Sequence, residues 1–228
     1  MNILCIMHAD FETPGVIQDW ALEKNYFFKV EKPYKGEILS SIDDYDLLII
    51  MGGPQSPLNI DQAPYLRDEI TLILSAIQQN KRILGFCLGA QLIGEALGAK
   101  TTRSPEKEVG VYPVTFTDKG LNDPLFASFE NSFNVIHWHN DMPGLTDSAE
   151  VLAYSEGCPR QIVKYGQKIY GFQCHLEITK DGIKEMISAV SEDLNPSKFT
   201  QSEDQLLNND YTSINNNMIK ILNKFIDL

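Results

Sequence analysis

Apolar residues recur along this chain in two rhythms, one of unbroken runs and one of helical spacing. The segments centred on Ile3 to Met7, Leu47 to Met51 and Ile83 to Phe86 are almost wholly apolar, the pattern of strands buried on both faces. Between them, Val16, Ile17, Trp20 and Ala21 share one helical face, with Thr13 as expected N-cap and Pro14 as the first helical residue. Leu66, Ile70, Ile73, Leu74 and Ile77 mark a second helix opened by Pro64, and Leu88, Leu92, Ile93 and Leu97 a third. Tyr26 to Val30 adds a strand, and Ile38 to Ile42 a short turn or helix. Alternation of this kind predicts an α/β fold, a largely parallel central sheet with helices on both faces. Ligands of such sheets bind beyond the carboxyl ends of the strands.

From Val111 the texture changes. Val111 to Thr117, Val135 to Trp138, Val151 to Tyr154, Gln161 to Tyr165 and Ile169 to Gln173 are short strand candidates, the last two joined by a hairpin at Gly166-Gln167. They predict a small antiparallel β addition. A helix carrying Ile183, Met186, Ile187, Val190 and Leu194 follows, then Asn195-Pro196 breaks the pattern. Residues 196 to 213 are polar and predict no single state, and Ile214, Met218, Ile221, Leu222 and Phe225 form a terminal amphipathic helix. The expected organisation is a catalytic domain over 1–194 and a C-terminal helical appendage over 195–228. That appendage would pack on the domain or on a partner subunit, which leaves a homodimer open.

Composition narrows the function classes. The 228 residues are 43 % hydrophobic and 22 % charged, ordinary for a globular protein, with a net charge of −12. Such an acid excess argues against nucleic acid and anionic membrane as partners. No apolar stretch approaches a membrane span, and Met1 leads straight into a strand pattern without a basic leader, so a cytoplasmic location is expected. Cys5, Cys87, Cys158 and Cys174 lack metal or redox spacing and read as thiols.

Cys87 stands at the corner between strand and helix, flanked by Gly85 and Gly89, where a tight turn requires residues without Cβ. This is a nucleophile-elbow layout with cysteine in place of serine. A helix N-terminus favours the thiolate, so an enriched thiolate is expected. Such a nucleophile needs a base, an orienting group and oxyanion donors. His175 ends a predicted strand, and alternation puts Glu177 on its side of the chain. Gly52-Gly53 ends another strand and can offer an N–H, with the Leu88 N–H as second donor.

The ordered set of Gly52-Gly53-Pro54, the G-x-C-x-G-x-Q elbow ending at Gln91, and the late H-x-E at 175 to 177 resembles the class I (triad) glutamine amidotransferases. Glu108-Val109-Gly110 and His137-Trp138-His139-Asn140-Asp141 are similar to stretches of the stand-alone branch related to the GMP synthase glutaminase domain and to γ-glutamyl peptidases. The resemblance implies a flavodoxin-like sheet and a Cys87, His175, Glu177 triad. It further implies an oxyanion hole from the amides of Gly53 and Leu88, and substrate contacts from Gln91, His139 and Asp141. Three positions depart from the family pattern: Leu176 stands where Pro is usual, Cys174 where Phe is commoner, and Asn140 where Gly is commoner.

No P-loop or other nucleotide signature accompanies these motifs. Three readings stand open: a glutaminase that releases ammonia for a separately encoded synthetase, a stand-alone γ-glutamyl peptide or amide hydrolase, and a non-catalytic scaffold subunit. The substrate would be glutamine or a γ-glutamyl compound. Neither cofactor nor metal is expected, because no ligand set of carboxylates and histidines is visible away from the triad.

Overall fold

The computed structural model describes every residue from Met1 to Leu228. Five parallel strands stand in the order β2 (Phe27–Glu31), β1 (Asn2–Ile6), β3 (Leu47–Ile50), β4 (Arg82–Phe86) and β9 (Ile169–Phe172), the first four from the first half of the chain. Period-two alternation on β1 sends Ile3 and Cys5 into one core and Leu4 and Ile6 into the other; β3 divides Leu47 and Ile49 from Leu48 and Ile50 in the same way. Each strand thus feeds two apolar layers, which is why its sequence is an unbroken apolar run.

One layer is closed by α1 (Val16–Glu23), α5 (Lys180–Ala189) and α7 (Tyr211–Phe225), through Trp20, Ile183, Met186, Met218 and Phe225. The other is closed by α2 (Leu66–Gln78) and α3 (Leu88–Ala96), through Leu66, Ile73, Leu92 and Ile93. Beyond β9 the sheet turns antiparallel through β8 (Ile162–Gly166), β7 (Glu150–Tyr154) and β5 (Thr102–Phe116), and β6 (Ser132–Met142) pairs with β5 as a long two-stranded ribbon. A short helix, α4 (Asp118–Asn122), follows β5.

Several local expectations are revised. Helix α1 starts at Val16, not Pro14, because Gly15 adopts φ +50° and packs against the Glu177 carbonyl, which receives the Val16 N–H at 3.1 Å. Ile38 to Ile42 is not an element; a single 3-10 turn covers Ile42–Asp44. Strand β5 begins nine residues ahead of Val111, and its polar opening is mostly exposed, pairing with β6 at Thr102 and Arg103 before a register shift up to Glu108. The stretch 196 to 213 holds a two-residue strand β10 (Phe199–Thr200) on β5 and a helix α6 (Glu203–Leu207) with a Ser202/Gln205 capping box.

The apolar stripe of α7 is covered by its own chain: Ile214, Met218, Ile221, Leu222 and Phe225 are buried. Trp20 Nε1 donates to Asn223 Oδ1 at 3.1 Å, fastening α7 to α1. The stripe therefore requires no second subunit, and the motive for expecting a homodimer falls away. No helix is long and apolar enough to cross a membrane.

Candidate active site

Strand β4 delivers Cys87 to the carboxyl edge of the sheet, and α3 begins one residue later. The turn is made by Cys87 itself, at φ +49°, so the positive φ falls on the cysteine and not on its flanking glycines. Gly89 is needed for close approach: a Cβ there would overlap the Ile50 carbonyl. The Cys87 N–H donates to the Phe172 carbonyl at 2.7 Å, which ties the elbow to β9.

The chain leaving β9 then runs beside β6. Two backbone bonds, Ile136 N–H to the His175 carbonyl at 2.9 Å and His175 N–H to the Ile136 carbonyl at 2.8 Å, fix residue 175. His175 Nδ1 lies 2.6 Å from Glu177 Oε1, and Glu177 Oε2 accepts the Leu176 N–H at 3.0 Å. A carboxylate only accepts, so in the neutral ring Nδ1 carries the proton and Nε2 keeps its lone pair. Nε2 has no hydrogen-bond partner of its own, and the Cys87 thiol is the side chain that bears on it. Helix α7 supports this segment directly: Asn215 Nδ2 donates to the carbonyls of Leu176 and Ile178 at 2.8 and 3.0 Å, on either side of Glu177.

Burial draws the His175 imidazole down, but Glu177 and the Cys87 thiol outweigh it and hold the ring well above its usual range. Burial pushes the Cys87 thiol up, and the nearby His175 and the Leu88 N–H only partly oppose it. The thiol is thus held above a free cysteine, contrary to the enriched thiolate expected from the helix terminus. Its deprotonation depends on His175.

Gly52 and Gly53 follow β3 and pass between two buried acid sites. His8 sits on one side, its Nε2 2.7 Å from Glu69 Oε2 and its Nδ1 3.1 Å from the Gly52 carbonyl. On the other side a Cβ at Gly52 would overlap Glu12 Oε2 and stand 3.1 Å from His175 Cε1 and 3.3 Å from Cys87 Cβ. Glycine is required at 52 for that reason. Glu12 was not visible in the sequence as a site residue, since a lone acid in a loop carries no pattern.

A cavity of about 360 Å³ opens over Cys87, within the size range of small-molecule sites. Gly53, Gln91, His139 and Asp141 line it with Glu12, Ser56, Arg103, Trp138 and Asp193. Asp141 is already engaged by Ser56 Oγ at 2.6 Å and Arg103 Nη1 at 2.8 Å. Gln91 Nε2 donates to Gln173 Oε1 at 3.1 Å, and Gln173 Nε2 reaches Cys87 Sγ at 3.3 Å. Gln173 therefore joins the expected substrate contact to the thiol, a link that the strand-end position of Gln173 did not reveal. A larger groove of about 600 Å³, lined by Ile38, Leu39, Tyr65 and Leu72, contains none of these residues.

The premise that no carboxylate and histidine set gathers away from the triad is corrected. Glu108, His137 and His139 do gather, fully buried, with a possible ligand atom from each within 4.8 Å of the others. Glu108 already accepts from Ser155 Oγ at 2.8 Å, Gly157 N–H at 3.2 Å and Gln161 Nε2 at 2.7 Å. Its acceptor positions are thus taken by the protein, and the group is a hydrogen-bonded brace behind His139, whose Nε2 lies 3.3 Å from Glu108 Oε2. Burial drives His137 down to about 3, which keeps it neutral.

The sequence profile of the family described as Glutamine amidotransferase class-I matches residues 23–189. The glutamine amidotransferase-like protein YfeJ of Salmonella typhimurium is 48 % identical over 85 % of this chain and 83 % of its own. A glutamine-hydrolysing GMP synthase of Borrelia garinii subsp. bavariensis is 29 % identical over 78 % of this chain, but over only 33 % of its own length. Among solved structures, a glutamine amidotransferase from Thermotoga maritima superposes with a TM-score of 0.89 at 27 % identity, covering 100 % of this chain and 99 % of that one.

Proposed function

Because the chain belongs to the class I glutamine amidotransferases, we propose that it hydrolyses the γ-carboxamide of glutamine through a γ-glutamyl thioester on Cys87 and releases ammonia for a separate synthetase. His175 Nε2 takes the Cys87 proton as Sγ attacks the amide carbon. The oxyanion is received by the N–H groups of Gly53 and Leu88. When the C–N bond breaks, its electron pair stays on nitrogen, which takes the proton from His175 and leaves as ammonia. Water then attacks the thioester, giving its proton to His175, and glutamate departs as the thiol is restored. Glu177 holds the tautomer that allows each transfer.

One observation carries this reading: an imidazole whose Nδ1 is bound to a buried carboxylate and whose Nε2 is unpartnered beside a cysteine at the floor of a cavity. Gln91 and the Ser56, Arg103 and Asp141 group would hold the α-amino and α-carboxylate end. The synthetase is inferred from the GMP synthase relative, two thirds of whose length lies outside the matched part.

A second reading, a stand-alone γ-glutamyl peptide or amide hydrolase, is favoured by the few apolar side chains in the otherwise polar lining of the cavity. Phe11, Val109, Trp138 and Val190 offer surface that ammonia cannot use. Turnover of glutamine and of a panel of γ-glutamyl amides and peptides, with Cys87→Ser as control, separates the two. Cys87-dependent hydrolysis of the peptides by the isolated chain supports the hydrolase. Glutamine turnover alone, or a thioester formed without turnover, supports the partnered glutaminase. Neither turnover nor thioester would leave a non-catalytic scaffold.

A further inference from the structure

Glu12 is the buried acid that the proposed chemistry leaves unused. It is 8 % exposed, it opens into the same cavity as Cys87, and it makes no hydrogen bond or ion pair with the protein. The other partly enclosed acids of that cavity are occupied: Asp141 by Ser56 and Arg103, and Asp193 by Trp138 Nε1 at 2.8 Å and Lys107 Nζ at 3.3 Å. Glu12 is therefore a buried acceptor whose donor must come from the cavity, since a carboxylate without donors is costly to bury.

Its position says which part of a ligand that is. The loop between β1 and α1 is pinned across the sheet edge by the Val16 N–H on the Glu177 carbonyl. This sets Glu12 Oε2 against the Cα of Gly52, at the point where His175 Cε1 and Cys87 Cβ also converge. Cε1 is the ring atom between the Nδ1 bound by Glu177 and the unpartnered Nε2. In the proposed reaction the nitrogen that leaves is the one protonated from Nε2, so the leaving nitrogen passes beside Glu12.

We propose that Glu12 accepts a hydrogen bond from an N–H of the leaving nitrogen, which makes the site selective for primary and secondary γ-glutamyl amides over γ-glutamyl esters and tertiary amides. This rests on the γ-glutamyl thioester reading given above. No proton passes to Glu12: the C–N electron pair goes to nitrogen, His175 supplies its proton, and Glu12 only orients the remaining N–H. Burial lifts the Glu12 carboxyl to about 7, against the pull of His175 and His8, with Glu177 and Asp193 adding to the rise. The ionised acceptor is thus present above neutrality and fades below it, and the nearby Cys87 thiol and His175 titrate in the same pocket.

The test compares two substrates of equal size, glutamate γ-methylamide and glutamate γ-methyl ester, on the full chain and on Glu12→Gln. Exchange of a charged acceptor for a neutral amide oxygen predicts that kcat/KM for the methylamide falls by about 10-fold while that for the ester stays within about threefold. The acid limb of the methylamide pH profile near 7 should disappear with it. Retained ester turnover shows that the variant is folded and its Cys87 competent. Equal loss on both substrates, or loss on neither, overturns the assignment and leaves Glu12 acting on His175 or on nothing. If the unaltered chain turns over neither substrate, the same comparison is read as the rate of Cys87 thioester formation by mass spectrometry; absence of any thioester means that the thioester reading fails and takes this inference with it.

Discussion

Replacing Glu177 by glutamine changes one atom of the site and tests the base directly. The carboxylate serves two donors at once, His175 Nδ1 through Oε1 at 2.6 Å and the Leu176 N–H through Oε2 at 3.0 Å. A glutamine amide cannot accept from both. If its oxygen faces His175, its NH2 meets the Leu176 N–H, donor against donor in a buried place, at a cost of about 1–3 kcal/mol. If its oxygen faces Leu176, the NH2 donates to Nδ1 and moves the ring proton to Nε2, where it blocks uptake of the thiol proton. The second arrangement satisfies every donor and should prevail.

The expected loss is roughly 10³- to 10⁴-fold in kcat/KM, the size seen when a triad imidazole is held in the wrong tautomer, or about 4–5.5 kcal/mol of transition-state stabilisation. Stability should follow a definite sign. In the fold the His175 pKa is raised above its unfolded value, near 6.5, so the pair's contribution is fully present below that pH and is lost as pH rises through the raised folded value. Chemical denaturation of Glu177→Gln should therefore show its largest deficit in mildly acidic buffer and a shrinking one in alkaline buffer. Turnover within tenfold of the unaltered chain, or a deficit that grows with pH, would refute the tautomer argument.

Gly52→Ala should lose at least about 100-fold in turnover, because the new methyl displaces Glu12 and presses on His175 and Cys87, and a denaturation midpoint shows whether the fold survives. Cys87, 7 % exposed, should react with iodoacetamide before Cys5, Cys158 and Cys174, each fully buried, and peptide mapping at partial labelling reads the order directly. Asn215→Leu removes the only side chain that ties α7 to the carbonyls of Leu176 and Ile178; activity should drop more than stability, which is expected to fall by about 1–3 kcal/mol in urea titration. Phe225→Ala, from the fully buried end of α7, should cost about 3–5 kcal/mol by the same titration.

The parallel half of the sheet was legible because β1, β3 and β4 feed apolar layers on both faces, so their sequences have no polar face to obscure them. The opening of β5 was not: the register with β6 shifts between Arg103 and Glu108, and the polar, proline-containing residues of that opening give no period. Helix α6 had its signal in plain view, Ser202 with Gln205 three residues on, but Leu206 and Leu207 alone make too short a stripe to support it.

At the site, Cys87, His175 and Glu177 were readable from local grammar, a corner between two glycines and a pair at alternate strand positions. Glu12, Gln173 and Asn215 were not readable, because each reaches the site through a tertiary contact that leaves no mark on neighbouring residues. The cluster of Glu108, His137 and His139 escaped for the same reason: the three lie on β5 and β6, and only the ribbon register, which pairs Gly110 with His137 and Glu108 with His139, brings them together.

The central claim is a γ-glutamyl thioester on Cys87, and the most direct measurement is mass spectrometry of the chain after exposure to a glutamine-shaped chloromethyl ketone. The account predicts a single adduct, mapped to the peptide that carries Cys87, absent from Cys87→Ser and suppressed by excess glutamine. An adduct on Cys5, Cys158 or Cys174, or none on a folded chain, would contradict it.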